Sequence, residues 1–407
     1  MSTIRVTSEV GRLRKVVCHA PGPELATVTP GNRADYLFDD ILDLELARRE
    51  HDTFTAILSR FTDVLEVTDL LRDALRVPEA RDELLGAAGE AIRERAAGVP
   101  IEEVVSLFVQ GEEYSGGSLA RLVNESGYSL PPLPNLFFTR DSAAVVGEQV
   151  VIASMRHDVR WTEELLARVL FRHHPELGGA GLVFDGATER RLNVHLEGGD
   201  IHVLRRDLLL VGLSERTSAA GIDLLARRLF EAGEVRDVVV VLLPSYRAAI
   251  HLDMVWTALD RDLCCVYPPF FLGPTRRPVV HLSRDVDGVR EADDLFALLR
   301  GLDMPMEPVF CGGERRNMQE REQWGSGCNF VAVAPGQVLA YGRNDHTLRA
   351  LEHDAGFRVV DAPEFLAAET LPADGERLAI TFEGSELVRG GGGPRCMTMP
   401  IRRDDVD

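Results

Sequence analysis

Lysine is almost missing from this chain. Lys15 is the only one, and arginine supplies every other basic side chain of that class. Schiff-base chemistry is therefore confined to Lys15, and no Gly-Lys-Ser/Thr phosphate loop can be written. Six cysteines are present, Cys18, Cys264, Cys265, Cys311, Cys328 and Cys396, but none forms a Cys-x-x-Cys. That removes the usual zinc-knuckle and dithiol-redox spacings. No apolar run approaches the ~18–20 residues that a membrane span requires. The start, Met1-Ser-Thr-Ile-Arg5, lacks the basic and apolar segments of a secretion signal, so the expected location is the cytoplasm, with all six thiols reduced. Positive charge is also in deficit: 45 basic against 65 acidic side chains leave a net charge of −20. Such a balance opposes nucleic-acid binding and is compatible with a cationic substrate.

What is present is a chain of 407 residues, 45% hydrophobic, long enough to bury a large core. Four segments share one plan of polar residue, short apolar run, turn and second apolar run. They are Asp141–Ala153, Asp200–Gly212, Asp253–Tyr267 and Asn329–Tyr341, and each reads as a β-hairpin. Helical spacing follows in Thr162–Phe171 and Ala219–Phe230. A fifth unit is expected where Arg14–Cys18 precedes a helix near Ala47–Phe61. Repetition at about 50–75 residues suggests units set radially, with the leading polar residue of each aimed at the centre. From Ala74 to Gly127 the pattern changes to helical, with Glu79–Ala97, Ile101–Gln110 and Ser118–Asn124 as expected helices.

Three motifs stand at hairpin heads: Asn135-Leu-Phe-Phe-Thr-Arg-Asp141, His195-Leu-Glu-Gly-Gly-Asp200 and His251-Leu-Asp253. In extended chain, residues i and i+2 face one side, so His251 with Asp253, and His195 with Glu197, could each serve one pocket. Near the C-terminus, four glycines (Gly390–Gly393) and Pro394 deliver Cys396 beside Arg395. A glycine run can approach a ligand closely, and a thiol next to positive charge has the makings of a nucleophile.

Together with Ser214-Glu-Arg-Thr-Ser218, Glu320-Arg-Glu-Gln-Trp324 and the Cys396 loop, these motifs resemble those of arginine deiminases, in the same order along the chain. The similarity runs from Ser8 to Pro400. It implies an α/β fold, a five-bladed pseudo-symmetric α/β propeller formed by 1–73 and 128–407, with an all-helical insertion at 74–127. It also implies hydrolysis of L-arginine to L-citrulline and ammonia through a covalent cysteine adduct, with neither metal nor organic cofactor, in a homo-oligomer. By motif, Cys396 resembles the nucleophile, His251 the general acid/base and Glu197 its carboxylate partner. Asp141 and Asp253 resemble the pair gripping the guanidinium. Asn135, Phe138 and Arg216 resemble the rest of the pocket, Arg216 and Asn135 at its carboxylate-binding end. A second arginine there is expected between Met155 and Trp161, Arg156 or Arg160, with Arg160 preferred; Arg389 or Arg395 is a further candidate. Met254 and Cys328 stand where the family has other residues. The alternative reading is an amidinotransferase or another guanidine hydrolase, which would share the thiol, imidazole and carboxylates; a nonenzymatic arginine or metal binder using the same groups is the rival from outside the enzymes.

Overall fold

The computed structural model describes residues 4–114, 119–123, 127–189 and 193–406. Its architecture is α/β, and one strand pattern occurs five times. In each, an antiparallel pair is followed by a helix and then by a third strand that lies parallel to the second member of the pair. The pairs are Ala143–Val146 with Gln149–Ile152, Ile201–Arg205 with Leu208–Leu213, Trp256–Asp260 with Leu263–Val266, and Val331–Ala334 with Gln337–Tyr341. Their parallel third strands are Gly181–Asp185, Asp237–Leu242, Glu307–Phe310 and Leu378–Phe382. The fifth pair joins the two ends of the chain: Leu13–Cys18 lies antiparallel to Met399–Arg403 and parallel to Asp63–Glu66. All four expected hairpins are thus present, and the fifth unit is built from segments nearly 400 residues apart.

Local sequence explains the turns. Gly147 takes φ +60 in the first hairpin and Gly336 takes φ +72 after Pro335 in the last, a region open to glycine at no steric cost. The intervening helices match their apolar periodicity closely: Trp161–His173, Ala219–Ala232 and Leu44–Ser59. Ser218 caps the second by accepting from the Gly221 amide, and Gly233 closes it at φ +80.

Two parts differ from expectation. The segment 79–97 is two helices, Pro78–Ala87 and Glu90–Ala96, because Gly89 at φ +92 cannot continue either. Ile101–Gln110 forms as expected, whereas the third helix is described only over Leu119–Val123, its expected ends Ser118 and Asn124 lying outside the described residues. Separately, a ribbon of Val279–Ser283 and Val286–Ala292 leaves the third unit and extends the sheet of the second to five strands.

The core is apolar packing beneath these sheets, in two clusters. Helices 78–87 and 101–110 contribute Leu84, Leu85, Val104 and Phe108 to the same cluster as Leu165 and Val169 of helix 161–173. Among the described residues no helix is long and apolar enough to cross a membrane.

Helix 44–59 provides a test of this packing. Phe54 is fully buried and stacks on Phe382 at 5.0 Å, whereas Leu46 on the same helix is exposed. Phe54→Ala is expected to cost about 3–5 kcal/mol and Leu46→Ala less than about 0.5 kcal/mol in urea unfolding. Equal losses for the two would contradict the assigned burial.

Candidate active site

Short 3-10 turns at Thr139–Asp141, Gly198–Asp200 and Leu252–Met254 carry the acidic residues into the middle of the molecule immediately before their hairpins. Asn329 heads the fourth hairpin in the same way. The four polar heads converge as the repeat implies. Asp253 Oδ2 lies 3.7 Å from Cys396 Sγ, and Asn329 donates to the same sulfur at 3.2 Å. Asn329 also accepts from the amides of Arg395 and Cys396, so one side chain fixes both the thiol and its backbone. Asp200 instead accepts from the Leu252 amide at 2.8 Å and from Ser214, holding the His251 turn in place. Burial pushes the Asp200 carboxyl up to about 7.

One narrow cavity is lined by Asn135, Phe138, Asp141, Arg160, Arg216 and Cys396, together with His251, Met254, Arg247 and glycines 390–392. Glu197 and Asp253 are fully buried just behind this wall. The two glycines after Glu197 are needed for contact: a Cβ on Gly199 would fall 2.7 Å from the His251 ring, and one on Gly198 would collide with the Arg140 carbonyl. Gly392 and Gly393 similarly admit Phe138 and Asn329. His251 is therefore packed from below by bare backbone, which sets its ring plane.

The imidazole is held at both nitrogens. Nε2 lies 2.8 Å from Glu197 Oε2, and Nδ1 faces Asp141 Oδ1 at 3.7 Å. Burial alone would lower its pKa, but the Asp141 charge and the Glu197 hydrogen bond outweigh burial and raise it to about 9. His251 is accordingly an imidazolium at neutral pH. Glu197 stays ionised despite burial because Arg216 and His251 face it; the Arg156 amide also donates to it at 2.9 Å. The Cys396 thiol goes the other way. Burial first, then the charges of Asp253 and Asp141, push it well above its ordinary value, so these surroundings favour a protonated sulfur.

Arginines balance this acidic cluster. Arg160 places Nη1 on Asp141 at 2.7 Å and its other two nitrogens on Glu163. Arg395 spans Glu9 and Asp253, with Nη1 2.9 Å from Asp253 Oδ2. After this pairing, Asp141 Oδ1 and Asp253 Oδ1 remain buried without a hydrogen-bond partner. Two unsatisfied carboxylate oxygens beside a thiol are costly unless a donor-bearing ligand completes them. Asp141, Glu197 and His251 also present donor atoms within 4.8 Å of one another. A metal fits poorly there, since an imidazolium has no lone pair on offer and Arg160 and Arg216 already occupy the carboxylates.

Most of the residues expected from sequence are brought together, though not all in the expected manner. Asn135 lines the cavity, but its amide donates to the Tyr36 carbonyl. His195 does not share a pocket with Glu197; its Nε2 meets Arg156 Nη1 at 3.0 Å away from the thiol. Arg389 is a correction. It lies in a wider neighbouring cleft, half exposed, tied to Asp40 and Glu386, because the glycine run carries the chain away before the cavity begins. Arg395, the other loop candidate, is buried as the partner of Asp253. Asn329, Arg247 and Glu9 were not anticipated in site roles. The repeat signalled Asn329 by its position at a hairpin head; the other two act through contacts across 140 residues or more.

A sequence profile of the arginine deiminase family matches residues 34–123 and 110–403. Arginine deiminases of Streptococcus sanguinis and Streptococcus agalactiae are each 34% identical to the chain, the first over all of both proteins, the second over 99% of this chain and 98% of that one. Among the solved structures that share its fold are three at 13–14% identity. They are the N-terminal domain of ArgZ, a cyanobacterial arginine dihydrolase bound to product (TM-score 0.53, covering 96% of this chain and 97% of that one), the SxtG amidinotransferase of Microseira wollei (0.57; 99% and 98%), and DDAH from Pseudomonas aeruginosa complexed with citrulline (0.51; 95% and 99%).

The charge on His251 yields a pH prediction. Its pKa is raised from 6.5 to about 9, so its stabilising contribution is complete below pH about 6.5 and is lost as pH rises through about 9. Glu197→Gln should move the imidazole titration downward, read by NMR, and the stability gap between this variant and the parent should shrink toward pH 9. A titration unmoved by the substitution would remove Glu197 as its cause.

Proposed function

The chain belongs to the arginine deiminase family, and from that premise we propose that it hydrolyses L-arginine to L-citrulline and ammonia at Cys396. The observation that carries this assignment is that Asp141 and Asp253, whose charges act on the Cys396 sulfur, each keep one buried oxygen, Oδ1, without a hydrogen bond. A guanidinium is flat, cationic and rich in donors, and carboxylates accept such a fork with defined geometry. Held between the two aspartates, it would present its carbon to Sγ.

Charge then times the nucleophile. The aspartates disfavour a thiolate while the pocket is empty; a bound guanidinium cancels that field, and Sγ releases its proton to water. The thiolate attacks the guanidinium carbon and forms a neutral tetrahedral adduct. His251, already an imidazolium, gives its proton to one nitrogen; the C–N bond breaks and ammonia leaves an S-alkylthiouronium. The neutral imidazole next takes a proton from water as its oxygen bonds to the same carbon. Cleavage of the C–S bond releases citrulline, whose extra proton returns to sulfur. Glu197 favours the charged imidazole, and Asn329 and Asp200 position the sulfur and the histidine turn. Arg216, with Asn135 and Phe138, lines the side of the cavity available to the rest of the substrate. Arg160 orients Asp141 from within the same wall.

We read the five sheets as the blades of a closed propeller, with 1–73 and 128–407 forming that body and 74–127 an inserted helical segment. The five repeats of one strand plan, and the pairing of the first strand with the last, support this reading.

Cys396→Ala and His251→Ala are expected to abolish citrulline formation, by at least about 10³-fold, while leaving the fold intact. Mass spectrometry of protein quenched during turnover should find an amidino adduct on Cys396. Normal turnover by Cys396→Ala would sink the covalent route, and ornithine appearing only with an added amine would identify an amidinotransferase instead.

A further inference from the structure

We propose a buried site for one small monovalent anion, chloride or a like halide, held by Arg140, Arg403 and His202 beside the Glu9–Arg395 ion pair. None of these five side chains lines the cavity that holds Cys396. They are scattered along the chain, and the repeat gathers them. Arg140 stands one residue before Asp141 in the turn Thr139–Asp141, His202 lies early in strand Ile201–Arg205, and Arg403 ends strand Met399–Arg403. Their exposures are 4%, 0% and 2%. The charge of Glu9 acts on all three and on Arg395, which sets them around one centre.

Charge and hydrogen bonding are both out of balance here, in the same direction. Three guanidiniums, Arg140, Arg395 and Arg403, share the carboxylates of Glu9 and Asp253, an excess of one positive charge. Arg395 uses those carboxylates up: Nε and Nη2 sit 3.1 and 3.2 Å from the two Glu9 oxygens, and Nη1 lies 2.9 Å from Asp253. Arg140 is left 4.0 Å from Glu9, beyond hydrogen-bond distance. Arg403 is tied through Nη1 to the Gly11 carbonyl at 2.6 Å. Arg140 Nη2, Arg403 Nε and Nη2, and both ring nitrogens of His202 are buried without a hydrogen-bond partner among the described residues. Shedding a proton is no escape, because a guanidinium keeps its charge. Burial, then the Arg395 charge, lowers Arg140 to about 9, and burial lowers Arg403 to about 10, both still cationic at neutral pH. His202 is neutral, since burial and then Arg395 push its pKa well below the usual value, and one ring N–H remains to donate. Apart from the second imidazole nitrogen, the unpaired set holds donors alone, so a cation finds no ligands. A water molecule could accept from two of these donors but would leave the charge uncancelled. One negative ion answers both deficits, and walls this closed suit a single atom rather than an oxyanion.

The direct test is crystallography of the full chain, purified and crystallised with bromide as the only halide and measured at the bromine absorption edge. An anomalous peak in contact with Arg140 Nη2 and the Nε–Nη2 edge of Arg403 is the expected result. In solution, exchanging sodium gluconate for sodium chloride at equal ionic strength should raise the melting temperature by about 2 °C or more, because an anion bound only by the folded state stabilises it. Arg403→Gln removes the surplus charge and should abolish that rise. Arg389→Gln, in the exposed cleft, should keep it, which separates a specific site from general screening. Where Arg403→Gln does not fold, the bromide map of the parent protein decides alone. Water or a polyatomic oxyanion at that position with no anomalous signal overturns the assignment. So does a chloride response that survives Arg403→Gln or is lost equally in Arg389→Gln.

Discussion

Charge neutralisation in a dry interior is the constraint on which the centre of this protein depends. Glu9, Asp141, Glu197 and Asp253 are all buried, and each faces a buried guanidinium: Arg395, Arg160, Arg216 and again Arg395. An unpaired ion there would cost several kcal/mol, so the arginines are as necessary as the acids. The pairing is nevertheless incomplete by design of the geometry. One oxygen on each of Asp141 and Asp253 is left over, and a cationic, multi-donor ligand is the chemistry that completes them.

That imbalance sets the protonation of the reacting groups. The same negative field keeps His251 charged and Cys396 neutral, opposite outcomes from one cause. A site in this state holds its acid ready and its nucleophile in reserve until a cation arrives. The larger cleft next door contains Arg389, Tyr246 and Trp324 but none of these coupled groups, which is why size alone points to the wrong cavity.

The hairpins, their turns and most helices were legible because they are local. Two-residue turns with Gly147 or Pro335-Gly336 between apolar runs admit few other structures, and period-2 and period-3.6 patterns identify strands and helices directly. Gly89 shows the limit: one glycine inside an otherwise helical pattern either persists or breaks the helix, and only its φ of +92 decides. The ribbon at 279–292 shows another, since a hairpin pattern does not say which sheet it will join. Among site residues, His251, Glu197, Asp141, Asp253 and Cys396 were accessible from motif and repeat position. Arg389 and Arg395 were not distinguishable, because both are arginines near the same cysteine and differ only in what lies across from them.

By itself, then, the amino-acid sequence determined the repeating units, the polar residue at each head, the single glycine-borne thiol and the family. Tertiary structure alone decided which arginine neutralises which carboxylate, that Arg395 is buried while Arg389 stays outside, and that Arg247 comes to stand beside Gly391. The physical reason is range. Turn and strand preferences act between neighbours in the chain, whereas the energy of a buried charge is set by whatever group the fold places within a few ångströms, however distant in sequence.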